Sequence, residues 1–185
     1  MEKPKGNQLS KSLDEGSEKL LNKQIGMEAK SSAYYLSMAS WCQMQGYGNA
    51  AHFLYQHSEE ERMHMLKLFH YINEGGGHAL QPEITDIQHY FNSLREVFEL
   101  ILEHEVKVTK SIHKIVDHCY QVKDFTTLNF LQWYVVEQRE EESLARRALE
   151  LFDIIGEEGI GLWTIEKEIG RLGVESHGQE DLNTE

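Results

Sequence analysis

The chain has 185 residues and carries 31 Asp and Glu against 18 Lys and Arg, a net charge of −13. That length suits one domain, and 40% hydrophobic with 26% charged residues is the composition of a globular chain, not a disordered one. The charge has the wrong sign for binding nucleic acid through phosphate contacts, and no apolar run reaches the ~18 residues of a membrane span. Neither a nucleic acid nor a membrane is therefore an expected partner. Two cysteines, Cys42 and Cys119, form no disulfide framework and no CxxC pair. The N-terminal stretch lacks the apolar segment of a signal peptide, so the expected address is cytoplasmic. Only Pro4 and Pro82 obstruct helix formation.

Residues 1–15 are polar and are expected to form a flexible extension. From about Ser17 to Gln45, Leu21, Ile25, Ala29, Ser32, Leu36 and Ala39 recur at helical spacing and predict a first helix with that inner face. Gly46-Tyr47-Gly48 breaks the pattern, and Asn49 is the expected N-cap of a second helix running to about Glu74. Phe53, Leu54, Leu68 and Tyr71 mark its inner face, and three glycines at 75–77 end it. A long aperiodic link holding Pro82 follows. Ser93-Leu94-Arg95-Glu96 has the form of a capping box and opens a third helix to about Tyr120. Asp124 is the expected cap of a fourth, to about Ile155. A short fifth helix spans roughly Leu162 to Leu172, leaving 173–185 as a polar tail and 16–172 as the domain.

The class is all-α. Four long helices joined by links of about 3, 18 and 4 residues form two antiparallel hairpins, with the long link crossing the bundle lengthwise, as in ferritin-like bundles. An up-down bundle with a ragged middle loop is the other topology these lengths allow.

Sliding the chain on itself by 77 residues lays 28–65 on 105–142, with seven of 38 positions identical. Glu28 then pairs with Glu105, Glu61 with Gln138, and His64 with Glu141. Glu28 and Glu105 lie within largely apolar stripes. A carboxylate buried in such a stripe must be protonated, paired with a base or bound to a metal, and no Lys or Arg shares the inward positions. Glu61-x-x-His64 presents both side chains on one helix face, and Gln138-x-x-Glu141 is its counterpart. Four carboxylates, an imidazole and an amide from four helices make a candidate dinuclear site, whose oxygen and nitrogen ligands suit Fe(II) and oxygen chemistry. Taken singly, each piece has an ordinary explanation: chance for ExxH, an exposed flank for Glu28, a solvated face for residues 140–142. The equal spacing of 33 residues from Glu28 to Glu61 and from Glu105 to Gln138 favours the joint reading. His57 has no carboxylate counterpart in the repeat and is read as structural.

The stretches HSEEERMHM around 57–65 and LNFLQWYVVEQREEE at 128–142 resemble the ferritins, specifically the non-haem bacterial type, and the resemblance covers about residues 19–172. It implies a diiron ferroxidase centre. The first iron would be held by Glu28, Glu61 and His64, and the second by Glu61 as bridge, Glu105 and Glu141, with Gln138 close by. Tyr35 matches a tyrosine beside the first metal, able to hydrogen-bond a ligand or supply an electron. A third iron site would map to Glu60, Glu137, Glu140 and Glu141. Arg62 stands where bacterioferritins place a haem-ligating Met, so no haem is expected. The function implied is iron storage and detoxification: Fe(II) oxidised by dioxygen or hydrogen peroxide, with ferric mineral kept in a hollow homo-oligomeric shell of twenty-four subunits. The alternatives are a storage subunit for iron or manganese without fast oxidation, and a diiron oxidase of a small substrate.

Overall fold

The structure, a computed structural model, describes residues 12–180, with side chains through 172. Among these residues there are five helices and no strand: α1 (Glu15–Gln45), α2 (Gly48–Glu74), α3 (Leu94–Val122), α4 (Phe125–Ile155) and α5 (Gly161–Glu180). The fold is a ferritin-like four-helix bundle with an added C-terminal helix. Residues 1–11 of the expected extension lie outside the described residues, but Leu13 is buried in the core and its amide reaches the Gly75 carbonyl at 3.3 Å. α5 runs past its expected end near Leu172 to Glu180, and 181–185 lie outside the described residues.

The helix ends follow from local chemistry. Asp14 accepts from the Ser17 amide at 2.8 Å and starts α1. Gly46 ends it in the left-handed region, at φ 88°, where a Cβ would be strained. Asp124 caps α4 through the Thr127 amide at 3.1 Å and also accepts from the Ser17 hydroxyl at 2.7 Å, joining the start of α4 to the start of α1. Ser93 accepts from the Glu96 amide at 3.0 Å, as the capping box requires. Its reciprocal half is shifted by one residue, for the Glu96 carboxylate accepts from the amide and side chain of Asn92.

Asn49 does not cap α2. The helix begins at Gly48, and its free amides are taken by Glu166 of α5: Oε1 accepts from the backbone of Asn49 and Ala50, and Oε2 from the Asn49 side chain at 2.7 Å. A carboxylate at a helix N-terminus also meets the positive end of the helix dipole. Ile165 and Ile169, flanking Glu166, are fully buried, so the fifth helix is docked by apolar packing around one ionic cap.

Contacts settle the topology. Ser17, near the start of α1, meets Cys119 near the end of α3; Tyr71, near the end of α2, meets Thr127 near the start of α4. α1 is thus antiparallel to α3, and α2 to α4. The residues 75–93 between α2 and α3 therefore cross the bundle's length, and the up-down alternative is excluded. The first helix is rotated slightly from the expected face: Tyr35, Met38 and Cys42 are buried with Ala39, whereas Leu36 is half exposed. The apolar core forms two groups. One holds Met38, Phe53, Phe98, Phe152 and Ile165, the other Leu21, Ile25, Leu68, Ile112 and Tyr134. A layer of buried polar side chains from all four long helices lies along the same stripes.

Candidate metal centre

Glu28, Glu61, His64, Glu105, Gln138 and Glu141 are all buried, with Glu28 and Glu105 at 0% exposure. Apolar neighbours at i±3 and i±4 place them inward: Ile25 and Ala29 beside Glu28, Ile101 and Val108 around Glu105. One ligand atom each of Glu28, Glu61 and His64 lie within 4.8 Å of one another. His64 Nδ1 is 3.6 Å from Glu61 Oε2.

Supporting hydrogen bonds orient these carboxylates. Gln24 Nε2 donates to Glu28 Oε1 at 2.7 Å. The Tyr35 hydroxyl donates to Glu105 Oε1 at 2.8 Å, and Gln138 Nε2 donates to Glu105 Oε2 at 3.1 Å. The Tyr134 hydroxyl donates to the carbonyl of His64 at 2.7 Å. Tyr35 thus hydrogen-bonds a candidate ligand, Glu105. Glu28 Oε2 and Glu61 Oε2, both buried, accept no hydrogen bond. Buried carboxylate oxygens that accept no hydrogen bond, on residues whose ligand atoms cluster with an imidazole nitrogen within 4.8 Å, have the chemistry a cation site requires.

The electrostatics agree. Burial, and after it the carboxylates of Glu105, Glu28 and Glu141, push Glu61 well above the usual carboxylate range. Burial raises Glu141 likewise, reinforced by Glu105, Glu60 and Glu137. Glu28 is raised by burial, and Glu105 by burial to about 7. Burial and the charge of Lys67 lower His64 to about 4, so at neutral pH its imidazole is uncharged and able to ligate. Divalent cations would relieve the crowding of negative charge that now holds protons on these groups.

A second group of ligand atoms within 4.8 Å comprises His57, Glu60 and Glu141. His57 Nδ1 is 3.1 Å from Glu60 Oε2 and 3.5 Å from Glu141 Oε2. Glu137 lies 3.7 Å from His64 Nε2, and Glu140 is exposed and joins neither group. The sequence reading thus missed Gln24, His57 and Tyr134. Gln24 stands four residues before Glu28, within reach on one helix face. His57 and Tyr134 stand seven before His64 and Glu141; His57 is read as structural for want of a carboxylate counterpart in the repeat, and Tyr134, that counterpart, is not singled out. An open groove of about 780 Å³ along α2, lined by Glu59, Glu60, Met63, His64, Lys67 and Trp133, reaches the edge of both groups.

A family model described as a ferritin-like domain matches residues 18–155, which contain every residue of both groups. The chain belongs to the ferritin family. A probable bacterial non-haem ferritin-like protein of Haemophilus influenzae is 43% identical, covering 89% of this chain and 99% of its own. A bacterial non-haem ferritin of Campylobacter jejuni is also 43% identical, over 84% and 93% of the two chains. Among solved structures, an open-pore ferritin from the archaeon Archaeoglobus fulgidus superposes with a TM-score of 0.83 at 39% identity, covering 86% of this chain and 97% of that one. Ferritins bind and store iron, and the carboxylate groups of this ferritin lie close enough together to hold metal ions. No described helix is long and apolar enough to cross a membrane.

Proposed function

We propose that this ferritin oxidises Fe(II) at a dinuclear centre within each subunit and stores the ferric product as mineral inside a hollow shell of twenty-four subunits in the cytoplasm. The observation that carries the reading is the buried, donor-free pair of oxygens on Glu28 and Glu61 beside neutral His64, with Glu105 and Glu141 close enough to raise Glu61. Glu28, Glu61 and His64 hold one iron; Glu61, Glu105 and Glu141 hold the other, with Glu61 shared. Four carboxylates balance the charge of two ferrous ions. On binding, the protons now retained by the buried carboxyls leave, so uptake of iron releases acid.

The substrate is Fe(II), and dioxygen or hydrogen peroxide is the electron acceptor. Dioxygen takes one electron from each of two Fe(II) and, with two protons, leaves as hydrogen peroxide; hydrogen peroxide takes the same two electrons and, with two protons, leaves as two waters. Sharing Glu61 keeps both electrons available to one oxidant. Tyr35 holds Glu105 in place, and Gln138 holds its other oxygen, so both supports serve one ligand. Oxygen and imidazole ligands bind ferric iron reversibly enough for the product to pass on to the mineral, whereas a closed thiolate site retains its metal. The groove along α2, acidic through Glu59 and Glu60, is the approach for the cation.

The test is aerobic oxidation of Fe(II), followed by absorbance at rising iron-to-chain ratios. A fast phase that saturates near two irons per chain, followed by slower growth, is the expected result. An oxidation rate no faster than that of free Fe(II) would leave a storage subunit without a ferroxidase centre.

A further inference from the structure

His57 and Tyr134 occupy equivalent positions of the two hairpins, 77 residues apart, and so do His64 and Glu141. Tyr134 reaches from α4 to α2, donating its hydroxyl to the His64 carbonyl at 2.7 Å. His57 reaches from α2 to α4, its Nδ1 3.5 Å from Glu141 Oε2. The residues making the two contacts correspond under the internal repeat, though one contact ends on a backbone carbonyl and the other on a side chain. In each, a residue one heptad before a candidate ligand on one helix tethers the matching candidate ligand on the other.

The His57 contact differs in touching a side chain. Nδ1 also lies 3.1 Å from Glu60 Oε2, so one imidazole edge faces two carboxylates at once. The ring is buried and clamped, stacked on Tyr35 at 5.6 Å and packed on Phe53 at 4.1 Å. Its orientation is therefore set by packing.

We propose that His57 is the positioning residue for Glu60 and Glu141, its Nδ1–H holding both carboxylates together so that they receive a third cation beside the dinuclear pair. The proposal rests on the dinuclear reading above. It departs from the sequence expectation in where support for the outer site comes from: a buried histidine of α2 takes part, and the exposed Glu140 does not. Glu141 then has two duties, as ligand to the second iron and as one wall of the outer position, and His57 fixes its place between them.

The test uses the full-length protein and Co(II), which binds such sites without being oxidised by air. Calorimetry gives affinity and number per chain, and the visible absorption of Co(II) reports its coordination. His57→Phe keeps a ring between Tyr35 and Phe53 but has no N–H. His57→Asn restores an N–H where Nδ1 stood. The wild type should bind a tight pair and a weaker third ion. His57→Phe should weaken the third about 10–100-fold, as loss of a supporting residue commonly does, while the pair is retained. His57→Asn should recover the third ion, which a merely structural role for the ring does not predict. A wild-type third site that His57→Phe leaves unchanged overturns the role of His57 alone, as does a pair without any third ion. Failure of the wild type to bind a tight pair overturns the dinuclear reading and this proposal together.

Discussion

The two hairpins of this ferritin share a backbone plan but not a set of side chains. The α1–α2 half presents Glu28, Glu61 and His64, and the α3–α4 half presents Glu105, Gln138 and Glu141 at the same relative positions. One half gives two carboxylates and a nitrogen; the other gives two carboxylates and an amide. The supports differ as well. Gln24 steadies Glu28 from its own helix, whereas Tyr35 crosses from α1 to steady Glu105 on α3. Position 101, the repeat equivalent of Gln24, is Ile, and position 112, the equivalent of Tyr35, is also Ile. Equivalent backbone positions therefore fix where a ligand sits, while unlike side chains decide its charge and its hydrogen-bond partner. The two proposed metal positions are expected to be inequivalent for this reason.

The comparison is broken most severely by Glu61→Gln, which gives both halves the same amide. Glu61 is the proposed shared ligand, so the fast phase of Fe(II) oxidation should fall by more than the roughly 10–100-fold typical of losing a supporting residue. The same change replaces a carboxyl that burial and three neighbouring carboxylates disfavour in its charged form with an amide that carries no charge at any pH. The metal-free protein should therefore melt higher than wild type at pH 7.5, so activity and stability move in opposite directions. Stopped-flow absorbance and calorimetric melting measure the two.

Gln138→Glu makes the halves alike in the other direction. It replaces the amide that donates to Glu105 Oε2 with a further acceptor, leaving that buried oxygen one donor short. The metal-free protein should lose about 1–3 kcal/mol, read from denaturant unfolding, and saturating Co(II) should recover much of it.

The acidic groups of both halves also set a pH dependence. Glu105 lies at about 7 when folded, above its ordinary 4.5, and Glu28, Glu61 and Glu141 are shifted the same way. An acid raised on folding makes the folded state bind more protons than the unfolded one between those two values. Stability of the metal-free protein should therefore fall as pH rises from about 4.5 to about 7, by way of Glu105. Bound cations should flatten this slope, and affinity for Co(II) should rise with pH across the window. Melting curves at pH 5, 6, 7 and 8 with and without Co(II) test both signs; a metal-free protein that grows more stable with pH in this range would contradict the buried-carboxylate picture.

Tyr35→Phe and Tyr134→Phe sharpen the comparison of supports. Tyr35 donates to a side-chain ligand and Tyr134 to a backbone carbonyl. Cation affinity should drop about tenfold for Tyr35→Phe and less for Tyr134→Phe, whose loss is a single neutral hydrogen bond of about 1 kcal/mol. The smallest effect lies outside the repeat. Glu166→Ala uncaps α2 and should destabilise by about 0.5–2 kcal/mol, with Co(II) binding unchanged.

Much of this was legible in the sequence because the signals were local or periodic. Helical spacing, glycine stops and the Asp124 cap depend on neighbours a few residues apart, and a carboxylate in an apolar stripe announces itself by its surroundings. The 77-residue offset carried the pairing of Glu28 with Glu105 and of His64 with Glu141, since two hairpins with one backbone plan put equivalent positions at equivalent depths. What the sequence could not decide were relations between helices distant along the chain. The α2 cap came from Glu166, more than a hundred residues beyond Asn49, and no local pattern encodes such a contact. Which candidate ligand Tyr35 reaches was open in the sequence, and the rotation of α1 against α3 selects Glu105. His57 became more than a structural ring because Tyr35 and Phe53 fix its plane and α4 brings Glu141 to its edge. Helical period and polarity were enough to place the candidate ligand carboxylates inward, though in α1 they missed the inner face by one position, at Leu36. Only the tertiary structure decided which of them meet, because that depends on how far each helix is turned and slid against the next.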